Sequence, residues 1–235
     1  MNAPITTVTG ERADLLQSLR RHREFLLFTV KDLTDEQAAS RPTVSELCLG
    51  GLIKHVGQAE KGWVDFILEG PAGLGGGDFD PTQWSEEMQQ ERANEFAMVE
   101  GETLAGIVSE YEGGIAARTD ELVASLDSLD ISHPLPSAPW FEAGARWSAR
   151  RALLHIIAET AQHAGHADML REAIDGSKTM VDGWIDPPGC LHITQICNTS
   201  VYEHRKVCLA TADAVGRLGA IRPRSVNCRT QSHHC

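Results

Sequence analysis

The chain has 235 residues and a formal net charge of −12, with 21 Lys and Arg against 33 Asp and Glu. This acidic balance, with no lysine-rich stripe, argues against nucleic-acid binding, which requires a basic face. No apolar run reaches the roughly 18 residues of a membrane-spanning helix, and the N-terminus has neither the basic start nor the apolar core of a secretory signal. The sequence therefore predicts a cytoplasmic protein with no nucleic-acid or membrane partner.

Two long amphipathic helices are predicted in the first part of the chain, over residues 10–32 and 44–69, because apolar residues recur at every third or fourth position. The second helix is expected to begin near Thr43, with Glu46 placed for a capping box, and to end at Gly70. Its inner stripe is apolar apart from one imidazole in the middle: Cys48, Leu52, His55, Ala59, Trp63 and Phe66. This helix therefore presents a histidine to the core.

A long connection over residues 70–100 follows, since Gly, Asp and Pro interrupt the helical period. Such a connection is either a mobile crossover or a lid. A third helix is predicted over residues 102–126, weakened locally by Gly113 and Gly114. After a proline-rich connection, a fourth helix spans residues 148–175. With no convincing strand pattern, the four helices predict an all-α four-helix bundle.

The composition changes after about residue 180. Five of the six cysteines lie between residues 190 and 235. Their spacings do not match the usual paired zinc-ligand motifs. We therefore predict a metal-binding bundle over residues 1–180, followed by a Cys/His-containing tail over residues 181–235 that is poorly ordered or an appendage.

The segment HIIAETAQHAGHADML, residues 155–170, carries the most chemistry. His155, Glu159, His163 and His166 are spaced by four, four and three residues, so on a helix they project from one face. Burying Glu159 without a partner would cost several kcal/mol, and a bound divalent cation would offset that cost. A third ligand must come from a facing helix, and His55 is the best candidate.

Two histidines and one carboxylate form a familiar catalytic zinc set, and the same set can bind nickel, iron or manganese. The residues alone leave alternatives open. His55 can also be read as a satisfied core histidine, and His155 and His166 as supporting or exposed residues. Periodicity does not settle which of the four positions on the last helix bind a metal.

Two stretches, LTDEQAASRPTVSELCLGGLIKHVGQAEKGWVDFIL and WSARRALLHIIAETAQHAGHADMLREAIDG, resemble actinobacterial members of the DinB-like superfamily. The resemblance covers about residues 10–178. It implies a bundle of up-down-down-up order and a metal triad made of one histidine on the second helix and an i, i+4 pair on the last. The matching positions are His55, Glu159 and His163. Glutamate followed by histidine is the order found in members that resemble mycothiol-dependent maleylpyruvate isomerase.

Since this superfamily includes enzymes that use mycothiol or bacillithiol, the resemblance implies a metal-dependent thiol S-transferase or isomerase. A divalent metal, zinc by preference, would deprotonate a small-molecule thiol, which would attack an electrophilic substrate. His166 or His155 would orient a ligand or carry a proton. The alternatives are a hydrolase using metal-bound water and a non-catalytic metal or ligand-binding bundle. A homodimer is compatible with this interpretation.

Overall fold

The computed structural model describes residues 8–77 and 85–179, all of which belong to one compact unit, Met1–Trp184. Its α-helices are α1 Glu11–Phe28, α2 Asp35–Ala39, α3 Leu49–Glu69, α4 Glu86–Glu95, α5 Leu104–Ser109, α6 Ala117–Ser125 and α7 Ala149–Asp175. A 3-10 turn, Gly70–Leu74, extends α3, and a π-helical segment, Glu110–Ala116, joins α5 to α6. The predicted all-α class is confirmed, whereas the predicted tail lies outside the described residues.

A small antiparallel sheet lies in the proline-rich connection before α7. Its strands are β1, Ser132–Pro134, and β2, Arg146–Ser148, and Ser132 pairs with Ser148. Ser148 then caps α7, because its side chain accepts a hydrogen bond from the Arg151 amide. The sheet therefore sets the point at which the last helix begins.

Contacts at both ends show that α1 and α7 run in the same direction. Arg150, near the start of α7, pairs with Glu11 at the start of α1. Near the other end, Arg171 donates to the backbone carbonyl of Thr29 at 2.9 Å. Strong pairing of these two helices places the first and last segments of the bundle side by side.

The other two long elements run the opposite way. α3 is antiparallel to α7, since Trp63 near its end lies against His155 near the start of α7. The α5–α6 segment runs with α3. Lys54 pairs with Glu102 just before α5, and Asp65 pairs with Arg118 in α6. The bundle therefore has the up-down-down-up order that the resemblance implies.

Two apolar clusters fill the bundle on either side of a buried polar layer. One cluster includes Leu19, Phe66 and Leu153, and the other includes Leu26, Leu52 and Leu170. No helix within residues 8–77 and 85–179 has the length and apolar character required to cross a membrane.

Glu60 is the centre of this polar layer and is only 1% exposed. Its carboxylate accepts hydrogen bonds from Arg23 Nε at 3.2 Å, Tyr111 Oη at 3.1 Å and Thr119 Oγ1 at 2.5 Å. Arg23 also donates to Asp120 at 2.8 Å. Although burial opposes it, the nearby Glu60 carboxylate raises the pKa of Arg23 above its ordinary value. A buried charge is thus paired and hydrogen-bonded, as its desolvation requires.

The predicted start of the second helix is wrong. α3 begins at Leu49, and Cys48 is its N-cap, with Sγ accepting from the Gly51 amide at 3.4 Å. Glu46 makes no capping box, because its carboxylate pairs with Arg41 on the surface. Cys48 therefore lies at the helix boundary, where a sulfur atom takes the place of the usual capping oxygen.

The predicted connection over residues 70–100 contains the 3-10 turn and α4, neither of which was predicted from the sequence. The side chain of Ser85 caps α4 by accepting from the Met88 amide at 3.2 Å. None of the residues in α4 is buried, so the helix has no apolar stripe for a periodicity argument to detect. The predicted weak point at Gly113 and Gly114 falls inside the π-helical segment.

We predict that Glu60→Ala lowers the free energy of unfolding by about 3–5 kcal/mol, because it leaves the Arg23 guanidinium buried without its main partner. Urea denaturation of the variant measures this loss. Glu46→Ala is the matched control, since its exposed pair with Arg41 contributes about 0–1 kcal/mol. Equal losses in the two variants would contradict the structural role of the buried layer.

Candidate metal centre

His55, Glu159 and His163 meet between α3 and α7. One ligand atom from each side chain lies within 4.8 Å of the other two. The i, i+4 spacing places Glu159 and His163 on one face of α7, and α3 brings His55 against them. The imidazole rings of His55 and His163 are 5.0 Å apart, edge to face. The structure therefore brings together the three side chains that the sequence selected.

The donor atoms of this triad fit a divalent cation. Nδ1 of His163 is buried and has no hydrogen-bond partner. Leaving a buried polar atom unpaired costs about 1–3 kcal/mol, so such atoms call for an explanation. Nε2 of His163 lies 3.5 Å from Oε2 of Glu159. Two imidazoles and one carboxylate match the ligand set of catalytic zinc sites.

The electrostatic environment keeps the imidazoles neutral. Burial, reinforced by the neighbouring His163 and Arg92, lowers the pKa of His55 to about 4. Burial also lowers the pKa of His163, although the Glu159 carboxylate opposes that shift. Metal ligation requires an unprotonated imidazole nitrogen. Both histidines therefore offer a free lone pair at neutral pH.

His155 and His166 flank the triad on α7. Nε2 of His155 lies 3.6 Å from Oε1 of Glu159, and its ring contacts Trp63 at 4.9 Å between ring centres. The ring of His166 lies 5.5 Å from that of His163, and its Nδ1 is buried without a hydrogen-bond partner. Both residues are therefore placed beside the three candidate ligands, as the sequence suggested.

Residues at the end of α4 contact His55, and the sequence pattern did not predict this contact. The Phe96 ring stacks on the His55 ring at 4.0 Å with an interplanar angle of 28°. Oε2 of Glu95 lies 3.8 Å from Nδ1 of His55. The available signal was local: Ser85 followed by two acidic residues is a typical helix start. Nothing local, however, indicates that the end of this helix reaches His55.

Two glycines explain how this segment approaches α3 so closely. A Cβ on Gly51 would lie 2.0 Å from the Phe96 carbonyl oxygen, and one on Gly50 would lie 2.3 Å from Met98 Sδ. The Cys48 thiol donates to the same Phe96 carbonyl at 3.6 Å. The sequence Leu-Gly-Gly at the start of α3 is therefore required for contact with the segment that covers His55.

The chain matches a known protein family over most of its length. The mycothiol-S-transferase family model matches residues 14–176, a range that includes both α3 and α7. The chain belongs to the mycothiol-S-transferase family. The DinB-like resemblance seen in the sequence is thereby confirmed, since this family is a member of that superfamily.

Among solved structures, this mycothiol-S-transferase family member is similar to one described as "Crystal structure of the conserved protein of locus from Enterococcus faecalis". The two are 14% identical with a TM-score of 0.51, and the match covers 72% of this chain and 100% of the other. At this identity the similarity concerns the fold alone. No curated protein matches the chain significantly.

We predict that Gly51→Ala destabilises the protein by about 1–3 kcal/mol, because the added methyl group overlaps the Phe96 backbone. Gly62→Ala, also in α3, is the control: its Cβ would meet Leu74 at 3.7 Å and the Gly73 carbonyl oxygen at 4.0 Å, both ordinary contacts, and alanine favours the helix by up to about 1 kcal/mol. Thermal unfolding of both variants makes the comparison. A stable Gly51→Ala protein would show that the close approach is not required.

We also predict that His55 makes the metal-free protein less stable as the pH falls. Its pKa is about 4 when folded and 6.5 in the reference state, so the unfolded chain binds more protons between these values. The contribution of neutral His55 to the free energy of unfolding is complete above about pH 6.5 and declines below it. Relative to His55→Asn, wild-type protein should lose about 1 kcal/mol between about pH 7.5 and pH 5.5. Denaturant titrations with a chelator present measure the difference, and a constant gap would contradict the prediction.

Proposed function

We propose that this chain is a metal-dependent thiol S-transferase in which His55, Glu159 and His163 hold one divalent cation, with zinc best suited to the donor set. The observation that carries the proposal is the meeting of two neutral imidazoles, one buried and one half-buried, with a carboxylate inside the range matched by the mycothiol-S-transferase family. A bound cation lowers the pKa of a coordinated thiol and so supplies a thiolate at neutral pH.

The three ligands contribute different charges. His55 and His163 are neutral donors, so Glu159 supplies the single negative charge of the set. One carboxylate against a divalent cation leaves a net positive charge, and this favours an anionic sulfur over a neutral thiol. The Phe96 ring covers His55 and the Trp63 ring lies against His155, so aromatic side chains line part of this region. Electrostatic attraction is stronger where water is excluded.

Access to the site is from the side of Glu159 and His155. The side chains of these two residues are 31% and 25% exposed, whereas those of His55 and His163 are 10% and 14% exposed. A small-molecule thiol and an electrophile therefore reach the ligands past Glu159. Next to this opening, the Arg151 guanidinium lies 4.0 Å from the centre of the Trp147 ring.

The reaction is the transfer of a carbon group to sulfur. The sulfur forms a bond to the electrophilic carbon of the substrate, the bond from that carbon to its leaving group breaks, and the thiol proton departs with the leaving group. His155 is placed to carry this proton, because its Nε2 lies 3.6 Å from the Glu159 carboxylate. Burial lowers the pKa of His155, although Glu159 opposes the shift, so this imidazole is unprotonated at neutral pH.

We predict that His55→Ala, Glu159→Ala and His163→Ala each remove the metal and abolish thiol-dependent turnover. His155→Ala and His166→Ala should retain the metal, with weaker binding of about 10–100-fold at most, because they support the ligands without being ligands. The measurement is metal content by elemental analysis of the five purified variants. Mycothiol with an aryl chloride that gives a coloured conjugate provides the activity assay.

Each alternative gives a distinct result. Full metal content in Glu159→Ala, with loss in His155→Ala or His166→Ala, would mean that α7 supplies the ligands but that they are not the residues proposed. Turnover of an ester without any thiol would indicate a hydrolase that uses bound water. Metal binding without turnover of several electrophiles would indicate a binding protein.

A further inference from the structure

The end of α4 contacts His55 through a carboxylate. Oε2 of Glu95 lies 3.8 Å from Nδ1 of His55, and that nitrogen is buried without a hydrogen-bond partner. Among the described residues, Glu95 is the one carboxylate within ion-pair distance of this imidazole. This contact lies outside the group of three candidate ligands.

The same short segment holds the plane of the His55 ring. Phe96 stacks on the imidazole at 4.0 Å, and the Arg92 guanidinium lies 4.8 Å from the centre of the Phe96 ring. Arg92 also forms an ion pair with Glu95. The cation, the aromatic ring and the carboxylate therefore support one another, and together they restrict rotation of the His55 ring.

This arrangement is anchored to α3. The Cys48 thiol donates to the Phe96 carbonyl at 3.6 Å, and Gly51 permits the close approach of that carbonyl. The side chain of Glu95 itself is 39% exposed. Its terminal torsion is soft, so the carboxylate can change its orientation beside the imidazole. A fixed backbone thus presents a carboxylate that can adjust to the imidazole.

We propose that Glu95 is a positioning residue that keeps the proton on Nδ1 of His55 and so presents Nε2 to the cation. This inference rests on the metal site proposed above. Metal-binding histidines commonly donate their second ring N–H to a carboxylate, which fixes the tautomer and makes the ligating nitrogen more basic. Here the carboxylate comes from a polar helix that contributes none of the three ligands. Glu95 touches neither thiol nor electrophile, and it acts through His55.

The first test is zinc affinity of the full-length protein, measured by competition with a chromophoric chelator. Glu95→Ala should bind zinc about 10–100-fold more weakly than wild type. Glu95→Gln should fall between them, because its amide oxygen still accepts a hydrogen bond but carries no charge. Glu91→Ala removes the same charge from an exposed position on α4 and should leave the affinity unchanged.

Two results would overturn the proposal. Wild-type affinity in Glu95→Ala would show that Glu95 serves only its ion pair with Arg92. Loss of zinc as complete as in His55→Ala would make Glu95 a fourth ligand and not a positioning residue.

The second test needs no metal and separates this proposal from the proposed function. Long-range nitrogen–proton NMR spectra of the metal-free protein report which ring nitrogen of His55 carries the proton. Wild type and Glu91→Ala should show the proton on Nδ1, and Glu95→Ala should show a mixture or a shift to Nε2. A wild-type proton on Nε2 would refute the role of Glu95. If wild type binds no zinc, the proposed function fails, and the tautomer alone decides the role of Glu95.

Discussion

The buried carboxylate of Glu60 is the constraint on which the bundle depends. A charge that is 1% exposed is tolerated only when its partners are fixed around it. α1, α6 and the π-helical segment must therefore meet α3 at the height of Glu60. His55 lies five residues earlier on the same helix, so the contacts that satisfy Glu60 also fix the rotation and height of α3. The geometry of the candidate metal centre therefore depends on this polar layer.

Glu60 and Glu159 show how similar groups acquire different roles. Glu60 is surrounded by guanidinium and hydroxyl donors at 2.5–3.2 Å. Glu159 is 31% exposed, and the imidazole nitrogens beside it lie 3.5 Å and 3.6 Å away. A carboxylate saturated by protein donors has nothing left to offer a ligand. The second carboxylate keeps lone pairs available, as the ligand role proposed for it requires.

Helical spacing predicts the bundle and groups three histidines and a glutamate on one face of the last helix, and His55 interrupts an apolar stripe. The choice of Glu159 and His163 within that group comes from the family resemblance. Helical spacing does not predict α4, because its side chains show no apolar period and its capping signal is short. The contact of Glu95 and Phe96 with His55 joins segments about 40 residues apart. This contact depends on the two glycines at the start of α3, and their role becomes visible only once the opposing backbone is in place.

The π-helical segment Glu110–Ala116 has a consequence for the phase of the helix it interrupts. A wider turn accommodates an extra residue relative to an α-helix, and Gly113 and Gly114 lie inside it. Because the wider turn absorbs this residue, the helix after it keeps its phase, and Thr119 faces Glu60. A regular α-helix with the same number of residues would carry about 100° more rotation by that point and would turn Thr119 away from the buried carboxylate. The irregularity therefore takes up one residue of chain length without displacing the donors of a buried charge.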